Sequence, residues 1–131
     1  MSIFPTMSKV LLPQKRGIAS IFHHEITELQ ASMSSMRGIP TVPGKVAVLT
    51  VKGQTMMSDS YNEQRSNRDV VWHSQGDVLI AGLGIGMILH PILKRPEVKS
   101  VTVIEKYQDV IDLVAPTVEP VALRHNKHLF T

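Results

Sequence analysis

Cysteine is absent from this chain of 131 residues, tryptophan occurs once, and aromatic residues make up 5%. The absence of cysteine excludes disulfide bonds, thiolate metal sites and a cysteine nucleophile. The sequence also lacks any run of about 18 apolar residues that would span a bilayer. Its N-terminal segment has no long apolar stretch ending in small residues, which argues against a signal peptide. We therefore expect a cytoplasmic protein without a membrane partner.

The composition, 43% apolar and 19% charged, is typical of a globular protein with one core. A formal net charge of +3 is mild, and the lysines and arginines are scattered along the sequence. Nucleic-acid binding normally requires a basic patch or stripe. A nucleic-acid partner is therefore not expected.

Residues 1–44 are predicted to form an N-terminal arm with a helix, and they contain four of the eight prolines. The segment "HHEITELQASMSSMRG" has apolar residues at helical spacing and ends in a glycine. We expect the apolar side chains to pack inward; they are Ile26, Leu29, Met33 and Met36. The neighbouring His23 and His24 would point in different directions on a helix, so no metal site is predicted.

Residues 45–75 are predicted to form a β-hairpin and a cap helix. The strands "KVAVLTV" and "QTMMS" flank Lys52 and Gly53, a dipeptide suited to a tight turn. One residue of Ser58–Ser60 would cap the following polar helix, with Glu63 in its first turn. The expected apolar anchors of this helix are Tyr61, Val70 and Trp72.

Residues 76–131 carry the clearest pattern, which predicts an α/β fold. "DVLIAGL" is a continuous apolar run typical of a fully buried parallel strand, and "VKSVTVIEK" predicts a second strand. A helix containing Met87, Ile88, Ile92 and Leu93 is predicted between them. His90 is expected on the surface, and the alternative is a position near the mouth of the ligand site, in reach of a carboxylate. A second helix is predicted to end near Pro116, and "KHLF" is a candidate third strand.

Three glycines on alternate positions separate the first of these strands from its helix. Gly82 permits a tight turn, Gly84 lets a ligand approach the backbone, and Gly86 allows close helix packing. Glu105 ends the next strand, about 20 residues on, where an acidic side chain accepts hydrogen bonds from ribose hydroxyls. The pattern predicts a nucleoside site. Because the spacing is G-x-G-x-G rather than G-x-G-x-x-G, a dinucleotide-dependent oxidoreductase fragment is disfavoured.

The stretch "VLIAGLGIGMILHPILKRPEVKSVTVIEKYQDVI" resembles the first two strands of class I S-adenosylmethionine-dependent methyltransferases, closest to the spermidine-synthase-like branch. This resemblance implies a Rossmann-like fold and S-adenosylmethionine as cofactor. It implies that the glycines line the methionine side of the cofactor, and that Glu105 holds the ribose. The full predicted cofactor-binding set is Gly82, Leu83, Gly84, Gly86, Met87, Glu105 and Lys106. The upstream segment resembles that branch more loosely and would place Met57, Ser58 and Asp59 near the ligand.

The resemblance stops before the acidic adenine loop and the catalytic loop of that family, and the aspartate base of aminopropyl transferases has no counterpart. No catalytic residue is therefore predicted, and the fold is expected to be truncated after its first strands. We expect a methyltransferase-like protein that is incomplete as a catalyst on its own, with a homo-oligomer or a completing partner chain. The alternative is a non-enzymatic interaction subunit or remnant that pairs through its open sheet edge.

Overall fold

A computed structural model describes residues 3–125 and 127–130, the last three of them by their backbone alone. Helices and strands alternate along the chain in a mixed α/β order, in two sheets. The elements are α1 (Met7–Val10), β1 (Gln14–Arg16), β2 (Ala19–Ile26), α2 (Glu28–Met36), β3 (Gly44–Val51), β4 (Gln54–Ser58), α3 (Tyr61–His73), β5 (Gly76–Ala81), α4 (Leu89–Leu93), β6 (Val98–Ile104), α5 (Gln108–Arg124) and β7 (His128–Phe130).

The N-terminal sheet is antiparallel, with the strand order β1-β2-β3-β4. Its alternating pattern buries one face, to which β2 contributes Ala19 and Ile21 while β3 contributes Leu49 and Val51. The predicted hairpin is present: β3 and β4 are joined by Lys52 and Gly53, which both have positive φ values. Positive φ at both central residues is the geometry of a type I′ hairpin turn.

The first helix prediction is wrong over its first part. The residues from His23 to Ile26 belong to β2, and each of them pairs with β3. The helix begins only after Thr27, whose side chain and Gln30 form a reciprocal capping box. Its predicted apolar face is also wrong, because the side chains of Leu29, Met33 and Met36 are exposed; Ala31 is the buried residue of α2.

The cap helix α3 begins as predicted but packs differently. Ser60 is its N-cap, and the Ser60 hydroxyl accepts a hydrogen bond from the Glu63 amide at 3.4 Å. The predicted anchors Tyr61, Val70 and Trp72 are all exposed, and the buried side chain is Val71. The inward face is therefore rotated away from the two residues that flank Val71.

The second sheet is parallel, with the order β5-β6-β7. The candidate third strand is confirmed as β7, which pairs with Ser100–Thr102 of β6. The prediction that β5 is fully buried is wrong, because exposed residues alternate with half-buried ones along it and Leu79 is 66% exposed. On the neighbouring β6, Ile104 is 60% exposed. Val101 and Val103 belong instead to the core cluster that α4 and α5 also join. One face of this sheet therefore meets solvent over the described residues.

Helix α5 continues through Pro116 and Pro120 to Arg124, so its predicted end near Pro116 is wrong. A proline inside a helix costs about 3 kcal/mol or more, because it lacks an N–H and its ring meets a preceding carbonyl. Both prolines are exposed, whereas the opposite face buries a row of apolar residues: Val110, Leu113, Val114, Val118 and Val121. Burial of that row offsets the cost at roughly 1.5–3 kcal/mol for each large side chain.

The two sheets share one core, and polar contacts fix how they meet. The Asp109 carboxylate at the start of α5 accepts a hydrogen bond from the Ile18 amide at 3.0 Å, and Arg16 forms an ion pair with Asp112 at 3.2 Å. These contacts hold the N-terminal sheet against α5. Among the described residues, no helix combines the length and apolar character needed to cross a membrane.

Candidate functional site

A cavity of about 630 Å³ lies between the β3–β4 hairpin and the carboxyl ends of β5 and β6. In open α/β sheets, ligands bind in the crevice outside the carboxyl ends of the strands. Its volume falls within the range of about 300–1,000 Å³ usual for small-molecule sites. The lining residues are Leu49, Val51, Met56, Met57, Ala81, Gly82, Gly84, Ile104, Glu105, Lys106, Tyr107 and Val110.

Glu105 is fixed at this cavity by two backbone amides. Its Oε1 accepts a hydrogen bond from the Leu83 amide, and its Oε2 accepts one from the Tyr107 amide, each at 2.9 Å. Each carboxylate oxygen has two acceptor positions, so one on each oxygen remains for a ligand. The residue thus joins the glycine turn to the end of β6 and presents a pre-oriented acceptor pair to the cavity.

Gly84 lies directly against Met57 of the hairpin. A Cβ atom placed on Gly84 would lie 2.0 Å from the Met57 sulfur, so a side chain there would require Met57 to move. The Ile85 amide donates a hydrogen bond to the same sulfur at 3.3 Å. A thioether of the protein therefore occupies the space beside Gly84 where the sequence predicts a ligand.

Gly86 has a packing role that faces away from the cavity. A Cβ atom there would lie 3.2 Å from the Val114 side chain and 3.3 Å from the Val118 side chain. Such distances are shorter than ordinary van der Waals contacts. The glycine therefore permits α5 to approach the turn, and it is not among the residues that line the cavity.

The structure divides the seven predicted cofactor-binding residues into two groups. The residues that line the cavity are Gly82, Gly84, Glu105 and Lys106. The other three do not line it: Gly86 packs against α5, and the side chains of Leu83 and Met87 are buried in the core, although the Leu83 amide orients Glu105. Of the looser upstream set, Met57 lines the cavity.

The other two upstream residues have structural partners. The Ser58 amide and hydroxyl both donate hydrogen bonds to the Glu63 carboxylate. Asp59 is buried, and its carboxylate accepts hydrogen bonds from the Met7 amide at 2.9 Å and the Ala47 amide at 2.8 Å. Neither residue is part of the cavity lining.

Sequence reasoning missed Tyr107 and the apolar wall of the cavity. The Lys52 ammonium lies 5.8 Å from the centre of the Tyr107 ring, and the Lys106 ammonium lies 5.3 Å from it. Both distances allow cation–π attraction. The position of Tyr107, two residues after Glu105, is the sequence feature that could have indicated its place in the cavity. The residues supplied by β3 and β4 have no such local feature, because only the fold brings them close to the glycines.

The lining is mostly apolar, and Glu105 is its one carboxylate within the described part of the chain. Among the described residues, no three histidine or acidic side chains come together as potential metal ligands. The arrangement offers hydrogen-bond acceptors at one end, apolar walls from β3 and β4, and two nearby cations. Such a cavity suits an amphiphilic ligand with hydroxyl donors.

Comparison with known proteins gives no family for this chain. No model of a known protein family matches the sequence. A search of curated proteins also finds no similar sequence.

Proposed function

We propose that the protein binds S-adenosylmethionine, or a closely related nucleoside thioether, on a Rossmann-like methyltransferase fold. The observation that carries this proposal is the position of Glu105 at the carboxyl end of β6, held by the amides of Leu83 and Tyr107 and facing the same cavity as Gly82 and Gly84. An acidic residue at this place is suited to hold two ribose hydroxyls.

The remaining walls match the other parts of such a ligand. The glycine turn offers a side-chain-free surface to the methionine portion, and Ile104 and Tyr107 flank Glu105 with apolar area for a base. The Met57 thioether beside Gly84 supports the assignment, because a thioether is also the group that joins homocysteine to the adenosyl group in S-adenosylhomocysteine. Since methionine is unbranched and adaptable, Met57 can turn away when a ligand enters.

The proposal is one of binding, and it assigns no catalytic residue. S-adenosylmethionine supplies an activated methyl group, so the protein of a methyltransferase chiefly orients the acceptor and excludes water. In this chain the apolar residues of β3 and β4, such as Leu49 and Val51, would shield the bound cofactor from water. The methyl acceptor is not identified by the cavity.

Calorimetric titration of the whole chain tests the proposal, with S-adenosylmethionine, S-adenosylhomocysteine and NAD as ligands. We expect the two adenosyl compounds to bind and NAD to bind at least tenfold more weakly, a difference of about 1.4 kcal/mol. Glu105→Gln should weaken adenosyl binding by about 1–3 kcal/mol, because one acceptor for a ribose hydroxyl becomes a donor. The matched control is Glu97→Gln, at an exposed glutamate that precedes β6.

Equal affinity of the wild type and Glu105→Gln would refute the ribose assignment. A folded protein that binds none of these ligands would refute the proposed function and leave the interaction-subunit alternative. The molecular mass of the same sample in solution then separates a self-associating chain from one that lacks its partner.

A further inference from the structure

A second cavity of about 430 Å³ lies where α1, α4 and α5 meet, and it shares no lining residue with the first. Its walls include apolar side chains, among them Pro116, Pro120 and Val121 of α5. Three nitrogen-bearing side chains also line it: His90, Lys94 and Arg124. The proposed nucleoside site uses none of these residues.

His90 was expected at the surface, and this expectation is wrong, since the residue is only 5% exposed. Its Nε2 atom is fully buried and has no hydrogen-bond partner within the described part of the chain. Leaving a buried polar atom unpaired costs about 1–3 kcal/mol. An apolar side chain at this place in α4 would avoid that cost, so the imidazole has no evident role in stabilising the helix.

The charges that act on His90 are those of Lys94 and Arg124, and both are positive. The pKa of His90 is lowered from 6.5 to about 4, chiefly by burial and in smaller part by the nearby charges of Lys94 and Arg124. At neutral pH the imidazole is therefore uncharged and the two cations give the cavity a net positive charge. Neither cation forms an ion pair with a carboxylate of the described residues.

We propose that this cavity binds a small organic anion, a carboxylate or a phosphate ester attached to an apolar group. Lys94 and Arg124, which are both exposed, would neutralise the anion. The Nε2–H tautomer of His90 would donate a hydrogen bond to it once the ligand displaces the atoms that now cover Nε2. The prolines and Val121 would pack against the apolar part. Such a ligand satisfies the buried imidazole and both cations together.

Titration calorimetry on the whole chain tests this site with benzoate, phenyl phosphate, inorganic phosphate and the neutral amide benzamide. We expect benzoate or phenyl phosphate to bind, and the tighter of the two identifies the anionic group. Inorganic phosphate lacks the apolar part and benzamide lacks the charge, so both should bind at least tenfold more weakly. Equal binding of benzamide, or no binding of either aromatic anion, would overturn the proposal.

Three variants assign the contacts. The double variant Lys94→Ala with Arg124→Ala should lose about tenfold to a hundredfold in affinity for the aromatic anion, as expected when charged hydrogen bonds are removed. Lys99→Ala, at an exposed lysine on β6, is the matched control and should bind as the wild type does.

His90→Leu separates a ligand contact from a merely buried histidine. We expect this variant to unfold at a higher temperature, because the unpaired Nε2 is gone, and yet to bind the anion several-fold more weakly. Unchanged affinity in His90→Leu or in the double variant would overturn the assignment. Because these probes and variants leave Glu105 and the glycines intact, failure here is distinguishable from failure of the proposed nucleoside function.

Discussion

Lowering the pH from 8 to 5 should destabilise this protein through His90. The imidazole is buried against Lys94 and Arg124, and its pKa falls from 6.5 to about 4 on folding. The unfolded chain therefore takes up this proton at a higher pH than the folded protein does. The resulting destabilisation is absent well above pH 6.5 and grows progressively as the pH falls toward 4.

The pKa difference fixes the magnitude. One pKa unit corresponds to 1.36 kcal/mol, so the shift from 6.5 to about 4 corresponds to about 3 kcal/mol once the pH is below both values. At pH 5 the unfolded imidazole is almost fully protonated while the folded one is mostly neutral, and the loss is about 2 kcal/mol. That is a large fraction of the 5–15 kcal/mol that stabilises a typical domain.

Urea denaturation of the wild type and of His90→Gln, each at pH 8 and pH 5, measures the effect. Every other titratable group is common to both proteins, so the difference between their pH dependences isolates His90. The wild type should lose about 2 kcal/mol more than the variant between these pH values. His73→Gln, at an exposed histidine of α3, is the control for the loss of a histidine as such. Equal losses in wild type and His90→Gln would refute the burial argument.

Three further substitutions test the packing at Gly86, the role of Met57 in ligand binding and the hydrogen bonds of Asp59. Gly86→Ala should lower the free energy of unfolding by about 1–3 kcal/mol, because the new Cβ atom would meet the valines of α5 and alanine would have to adopt a strained positive φ. Gly76→Ala requires a positive φ too but has free space around its Cβ, so its effect in the same thermal melts measures the backbone strain alone. Met57→Ala should tighten S-adenosylhomocysteine binding by removing the competing thioether, whereas Met56→Ala should not; weaker binding in Met57→Ala would show that the thioether helps hold the ligand. Asp59→Asn should cost about 1–3 kcal/mol in chemical denaturation, since a buried acceptor of two amides becomes partly a donor, and a neutral result would contradict its bridging role.

Local signals predicted the elements that depend on few residues. The hairpin turn at Lys52 and Gly53 needs only positive φ values, which its glycine makes accessible. Ser60 caps α3 through a bond to a residue three positions ahead. The placement of Glu105 beside the glycine turn follows from the parallel pairing of β5 and β6, which places Ala81 opposite Ile104.

Predictions failed where a distant partner decides the outcome. The segment from His23 to Ile26 has helical spacing, yet β3 offers it a complete set of strand pairings. His90 is buried because α5 and the N-terminal residues pack over α4, a contact that no pattern within α4 records. Helix α5 passes through Pro116 because its buried face continues to Val121.

The candidate site shows the same division. Gly82, Gly84 and Glu105 lie within one supersecondary unit, and the sequence pattern predicts that they lie close together. Met57 reaches Ile85 across 28 positions, so its contact with the glycine turn depends on how the hairpin docks. Sequence reasoning finds the part of the cavity that belongs to one unit and misses the wall that the other sheet supplies.

The cavity has one wall from each sheet, and ligand binding is therefore coupled to the docking of the two sheets. The hairpin reaches the glycine turn only while the N-terminal sheet is docked, which the Asp109 contact to the Ile18 amide helps to maintain. A ligand that touches both walls binds only the docked state, and its binding free energy then opposes local opening of the interface. Amide hydrogens at the interface, that of Ile18 among them, should exchange with solvent more slowly as the ligand concentration rises, although the ligand lies elsewhere. The bound nucleoside would thereby stabilise the interface, and the fraction of protein that carries it would determine how often the two sheets separate.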